Sequence, residues 1–200
     1  AECIFENIGA FHGYASATTQ ICWADTGQRN SYNYCAFLGM ANATAAAQAG
    51  GRSLTVGGSG GTGENNFFRC QIGVDTITRS AANASLEFLN GTPRNTFREC
   101  IFPVETSSAD ALMVKAASAS VDRWQWFQDC LFVNNIKSAS TAMTVAFSMG
   151  AGTSPAGLMM LQRCSLIGAT KWGDAAALGQ MYVDGAPPTA ATSGLAVNPS

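Results

Sequence analysis

Two hundred residues carry 47% hydrophobic side chains against 12% charged ones, with a formal net charge of −2. That balance excludes a disordered chain, which needs high charge and low hydrophobicity. There is no apolar run of about 18 residues to cross a membrane, and no Lys/Arg cluster larger than a pair to grip nucleic acid.

In chain order, a short phrase recurs six times: an apolar residue, two variable residues, a cysteine, one variable residue and a large apolar residue. A truncated copy, AECIF, opens the chain, and SYNYCAFLG (Ser31 to Gly39) follows. NNFFRCQIG (Asn65 to Gly73), NTFRECIFP (Asn95 to Pro103), WQWFQDCLF (Trp124 to Phe132) and LMMLQRCSLIG (Leu158 to Gly168) complete the set. The cysteines Cys3, Cys35, Cys70, Cys100, Cys130 and Cys164 are separated by 32, 35, 30, 30 and 34 residues. Two residues after each come Phe5, Phe37, Ile72, Phe102, Phe132 and Leu166. A period of about 20–50 residues marks a stacked architecture.

Within a phrase, period-two alternation places Phe97, Glu99 and Ile101 on one face and Cys100 and Phe102 on the other, the signature of a half-buried strand. The row three residues before each cysteine (Phe67, Phe97, Phe127) is nevertheless expected in the core. A second strand-like run lies between the cysteines: SLTV (53–56), SLEF (85–88), ALMV (111–114), TVAF (144–147) and MYV (181–183). Loops of Gly, Ala, Ser, Thr and Asn separate these runs. Short strands recurring in this way predict an all-β fold, a right-handed parallel β-helix or solenoid of about six coils. The 21 glycines and the β-branched or aromatic repeat positions argue against a helical repeat of the same length.

The β-helix is expected over residues 1–185. Pro187-Pro188 cannot continue a central strand, so 186–200 is expected as an extended arm. Because AECIF starts inside a rung without a cap, the expectation is a body that forms the C-terminal part of a longer protein, or a first coil covered by another chain.

Seven cysteines without a C-x-x-C spacing predict neither a metal nor a cofactor. They predict an inward ladder at strand spacing of about 4.8 Å; that spacing falls within disulfide range, though reduced thiols are the simpler expectation. Cys22, in the run QICWA, is expected in the core as well. The single histidine, His12, has no partner fixed by sequence and reads as a loop or core residue. The glycine run GGSGGTG lacks the lysine of a phosphate loop and reads as a turn. Asn65 and Asn95, each five residues before a cysteine, are expected to stack as an amide ladder at a bend. Acidic residues are scattered, and Glu99 is expected in a surface charge row with Arg69, Asp129 and Arg163. Alternation turns Trp124 and Trp126 outward, where they suit a sugar or a neighbouring subunit, or lie under a loop.

The phrase N-x-F-x-x-C-x-F, the runs TRSAANASLEFLNG and RNTFRECIF, and the ending MYVDGAPPTAATSGLAV resemble the pectate-lyase-like parallel β-helix proteins of tailed bacteriophages. The resemblance covers the chain from about Asn30 onward. It implies a virion structural protein, a capsid decoration or accessory protein assembled in the host cytoplasm, and the scattered acidic residues make it expected to be non-enzymatic. It also implies a homotrimer whose partners include other virion proteins, the major capsid protein foremost. The alternative it implies is a tailspike-type protein that binds or degrades glycans. No lyase motif carries over onto these residues.

Overall fold

The computed structural model describes residues 2–15, 18–58, 62–116, 119–137, 140–149, 157–174 and 180–184. The first coil runs through β1 (Ile4–Glu6), β2 (Gly9–Phe11) and β3 (Ile21–Asp25). The second contains β4 (Ser31–Asn33), β5 (Ala36–Leu38), a short helix α1 (Ala43–Ala46) and β6 (Arg52–Val56). The third contains β7 (Asn66–Phe68), β8 (Gln71–Ile72) and β9 (Ala84–Phe88). The fourth contains β10 (Thr92–Arg98), β11 (Ile101–Val104) and β12 (Leu112–Ala116). The fifth contains β13 (Val121–Gln128), β14 (Leu131–Asn134) and β15 (Met143–Met149). The sixth contains β16 (Leu158–Gln162), β17 (Ser165–Ile167) and β18 (Ala169–Gly173), and β19 (Met181–Val183) follows.

Every third strand pairs with its equivalent one coil on. The result is one seven-stranded sheet (sheet A, β1 through β19) and two six-stranded sheets (sheet B, β2 through β17; sheet C, β3 through β18). Each pairing within them is parallel, as in β4 with β7, β11 with β14 and β12 with β15. The chain is a parallel β-solenoid, as the repeat predicts. The arm expected over 186–200 lies outside the described residues.

The cysteine phrase is two strands, not one. Asn7, Tyr34, Arg69, Glu99, Asp129 and Arg163, each at the corner between sheets A and B, hold φ between 50° and 55°. A left-handed residue at the corner resets the alternation, so Phe97, Cys100 and Phe102 all face inward while Glu99 faces water. Simple period two cannot register this, because it assumes an unbroken strand. The left-handed conformation is costly for non-glycine residues, and its recurrence at one corner shows that neighbouring coils impose it.

Two columns fill the core beside that corner. In sheet A, Phe5, Tyr32, Phe67, Phe97 and Phe127 stack with centroids 4.5–4.8 Å apart and planes within 12°. Sheet B contributes Ala10, Phe37, Ile72, Phe102, Phe132 and Leu166, with Phe102 on Phe132 at 4.5 Å. Edge contacts such as Phe127 to Phe132 at 5.7 Å lock one column to the other. Stacked and edge-on rings add to the burial energy of each aromatic.

The cysteine ladder fills the corner itself. Cys35, Cys70, Cys100 and Cys130 are buried and Cys164 is partly so; all seven cysteines are free thiols. Each ladder thiol donates to a sheet A carbonyl one coil back: Cys70 to Tyr32 at 3.4 Å, Cys100 to Phe67 at 3.5 Å, Cys130 to Phe97 at 3.4 Å and Cys164 to Phe127 at 3.4 Å. Cys35 does the same to Phe5 at 3.5 Å. The thiol is a small apolar filler with one weak donor. Burial pushes the Cys35 and Cys100 thiols up, which favours this protonated, donating form.

The first copy of the phrase falls out of register. Phe5 pairs with Tyr32, not Phe37, and Ala10 takes the place opposite Phe37. Ile8, partly buried, thus stands where later coils have cysteine, and Cys3 is exposed with its N–H bonded to Asn30 Oδ1. AECIF matches the phrase locally, but ring stacking of Phe5 on Tyr32 sets the register five residues away. Cys22 is also misassigned to the core. It is half-buried within β3, where it donates to the Ala10 carbonyl at 3.3 Å while neighbouring Trp23 packs inward. Burial raises its thiol to about 11.

Native-state thiol labelling should therefore modify Cys3 readily and leave Cys35, Cys70, Cys100 and Cys130 protected until the chain unfolds. Mass spectrometry before and after adding denaturant reads this directly. Brisk native labelling of those four would remove the ladder.

Two strand assignments also shift. MYV is β19, paired with β16 in sheet A, so it belongs to the next turn of the phrase position. The sheet C strand of the sixth coil is instead β18, which carries the buried Trp172. The loop MANATAAAQAGG contains α1, capped by Asn42, whose side chain accepts from the Thr44 N–H at 2.9 Å. Gly57, in the glycine run, has φ 115°, and a Cβ there would run into the Leu89 carbonyl, so this turn needs glycine.

The asparagine ladder is longer than the two residues read from sequence. Asn65 accepts from the Asn30 N–H at 2.8 Å, Asn95 from the Asn65 N–H at 3.0 Å and Gln125 from the Asn95 N–H at 3.3 Å. The bond therefore runs from amide oxygen to the backbone of the coil before. It satisfies N–H groups at a bend where the strand ladder cannot.

Candidate binding face

The outer face of sheet A changes character along the solenoid. Ser31, Asn66 and Thr96 form one in-register row that leads to Trp126, Met160 and Tyr182. A second row leads from Asn33, Phe68 and Arg98 to Gln128 and Gln162. The first row is thus polar over coils two to four and apolar from the fifth, while the second stays polar apart from Phe68. At the polar end the Arg98 and Arg69 guanidiniums lie over the Phe68 ring at 4.8 and 5.0 Å, a cation–π arrangement.

Trp124 and Trp126 both point outward and half-exposed, as alternation along β13 predicts, with their rings edge-on at 6.4 Å. Trp124 pairs with Leu158 and Trp126 with Met160. Beside them lies a hollow of about 550 Å³, floored by Trp126, Leu158, Met160 and Tyr182. Gln162, Arg163 and Asp184 form its polar side. Met160 lies in the sixth copy of the phrase, four residues before its cysteine as Trp126 is in the fifth, whereas Tyr182 belongs to no copy. The outward parity of β16 and the register of β19 are what bring them to the tryptophans.

The charges beside this face are paired across coils. Arg163 grips Asp129 with two bonds of 2.7 Å, and its own N–H donates to Asp184 Oδ1 at 2.7 Å. That guanidinium holds the Asp129 carboxyl below its usual range. Arg69 meets Glu99 at 2.7 Å, so Glu99 sits in the charge row that the sequence predicts. A second row joins Glu2, Arg29, Glu64 and Arg94.

Other ionisable groups gather away from the hollow. Lys137 pairs with Glu105, its Nζ 2.5 Å from Glu105 Oε2 and 3.5 Å from the backbone carbonyl of Asp75. Lys137 and the Thr78 hydroxyl hold the Glu105 carboxyl low, which unfits it as a proton donor at neutral pH. Asp25 is buried where the first coil closes. Burial raises its pKa, against bonds from the Gly27 N–H at 3.0 Å and Asn30 Nδ2 at 3.1 Å. Arg79 is wholly buried, bonded to the Ser85 hydroxyl at 2.9 Å and to Asn83 Oδ1 and the Leu112 carbonyl at 3.3 Å. Burial, with Arg52 nearby, brings its guanidinium down to about 9. His12 is half-buried in the loop after β2.

Among the described residues no three His, Cys, Asp or Glu side chains group as a metal site. No helix there is long and apolar enough to cross a membrane. No family, curated protein or solved structure matches the chain. The strand order therefore carries the fold.

Proposed function

We propose that the protein is a non-enzymatic structural component of a bacteriophage particle, a capsid decoration or accessory protein with a rigid β-helical body. The observation that carries this reading is where the carboxylates are spent. Glu64, Glu87, Glu99, Glu105 and Asp129 each sit against at least one Lys or Arg contributed by another coil. Glycoside hydrolysis needs a free pair of carboxyls, one kept protonated. Here the same groups staple neighbouring coils, which suits a load-carrying body. The resemblance of the repeat phrase to phage β-helix proteins supports the particle, the homotrimer and contact with the capsid protein.

Electron cryomicroscopy of purified particles tests this. Density for the solenoid at regular lattice positions is the expected result. Density at the tail tip alone would replace it with the tailspike alternative, and absence from particles would overturn both.

A further inference from the structure

We infer that the hollow over Trp126, Met160 and Tyr182 is a binding subsite for a neutral glycan. The inference does not depend on the particle proposal, since it rests on the chemistry of the face. A pyranose ring has an apolar C–H face and a rim of hydroxyls. A receptor for it needs a flat apolar floor and, at the edge, groups that both donate and accept. The floor is present: Trp126, Met160 and Tyr182 lie in register on adjacent strands, and Met160 is 39% exposed. The edge is present too. Gln162 lines the hollow and Gln128 stands beside it in the same outward row; among the described residues neither side-chain amide has a hydrogen-bond partner. An amide both donates and accepts, which suits a hydroxyl.

Charge selects the class of ligand. Arg163 is held by Asp129, and one Asp184 oxygen is held by the Arg163 N–H, so both signs beside the hollow are already engaged. An anionic sugar would find no unengaged cation in this lining, and a neutral one needs none. Size argues against a protein occupant. The hollow of about 550 Å³ lies within the range of small-ligand sites, about 300–1,000 Å³. A stable protein interface needs about 800 Å² per partner, and this face turns polar within one strand, at Thr96 and Arg98.

The test is titration of the full chain with linear hexasaccharides of glucose, mannose, galactose and N-acetylglucosamine, followed by tryptophan fluorescence and calorimetry. Saturable binding of at least one of them is expected. Trp126→Ala and Gln162→Ala should each weaken it about tenfold, with far-ultraviolet circular dichroism unchanged. Gln162→Ala keeps the test sound if Trp126→Ala fails to fold, since the amide is not part of the core. Three results would overturn the inference: no binding of any probe at millimolar concentration, binding indifferent to both substitutions, or displacement of an apolar dye from the hollow without competition by sugar. Fluorescence that changes with protein concentration alone would also replace it, with a second copy as the occupant.

Discussion

Phe97→Ala should lower the free energy of unfolding by about 3–5 kcal/mol, read from the midpoint and slope of a urea titration. Phe97 is fully buried, at 0% exposure. Its ring lies between Phe67 at 4.5 Å and Phe127 at 4.8 Å, with Phe88 edge-on at 5.9 Å and Phe102 tilted at 6.3 Å. Truncation empties one layer of the column and removes contacts to both neighbouring coils. In a solenoid, where stability is a sum over units and their interfaces, both interfaces weaken together. Ile101→Ala is the control, because Ile101 lies four residues on, past the left-handed corner, and is 36% exposed. It should cost about 1 kcal/mol or less. Equal losses for the two would mean that the stacked column does not set the stability.

The same residues show how far the sequence could be read. The fold was legible because the phrase repeats side-chain chemistry at fixed spacing, and parallel in-register stacking is the arrangement that places like on like. Phe67, Phe97 and Phe127 met as expected for that reason. What failed was local pattern without a coil to check it. AECIF has the composition of the phrase, but Cys3 and Phe5 sit five residues out of step because the stacking of Phe5 on Tyr32 outweighs the cysteine match. MYV looks like the other mid-coil runs because three apolar residues carry no directional information. The corner conformation of Glu99 and its equivalents was invisible, since the strain is imposed by neighbouring coils and not by the residue type. Asn30 and Gln125 could have been found: both stand five residues before a ladder cysteine, as Asn65 and Asn95 do.

The candidate face was half legible. Alternation turned Trp124 and Trp126 outward, and the charge row around Glu99 followed from spacing. Met160 was legible too, since it stands four residues before Cys164 as Trp126 does before Cys130; Tyr182 was not, because MYV has no cysteine after it to set its register. The contact of Lys137 with Glu105 and with the Asp75 backbone carbonyl was not legible either, because loops and not one strand pattern bring them together.

The second large effect concerns the charge buried at sheet C. Glu87→Ala should cost about 3–5 kcal/mol, the typical penalty for breaking a buried ion pair from one side. Arg52 Nε lies 2.6 Å from Glu87 Oε2, with the two side chains only 4% and 13% exposed, and Lys115 reaches the other oxygen at 3.2 Å. Without Glu87, the Arg52 guanidinium retains only the Ala49 and Gly51 carbonyls, which satisfy its hydrogens but not its charge. Arg79, wholly buried nearby, already feels that charge. Lys115 is exposed enough to turn to water, so the loss falls on Arg52. The double substitution Arg52→Met with Glu87→Leu separates the terms. An apolar pair of similar volume removes both charges, and replacing a buried pair in this way is often neutral or stabilising. The double variant should therefore recover most of what Glu87→Ala loses, a non-additivity that a double-mutant cycle measures. A loss below about 1 kcal/mol for Glu87→Ala would mean that Arg52 finds water when its partner goes. A double variant as unstable as the single one would place the energy in packing at this layer and not in charge.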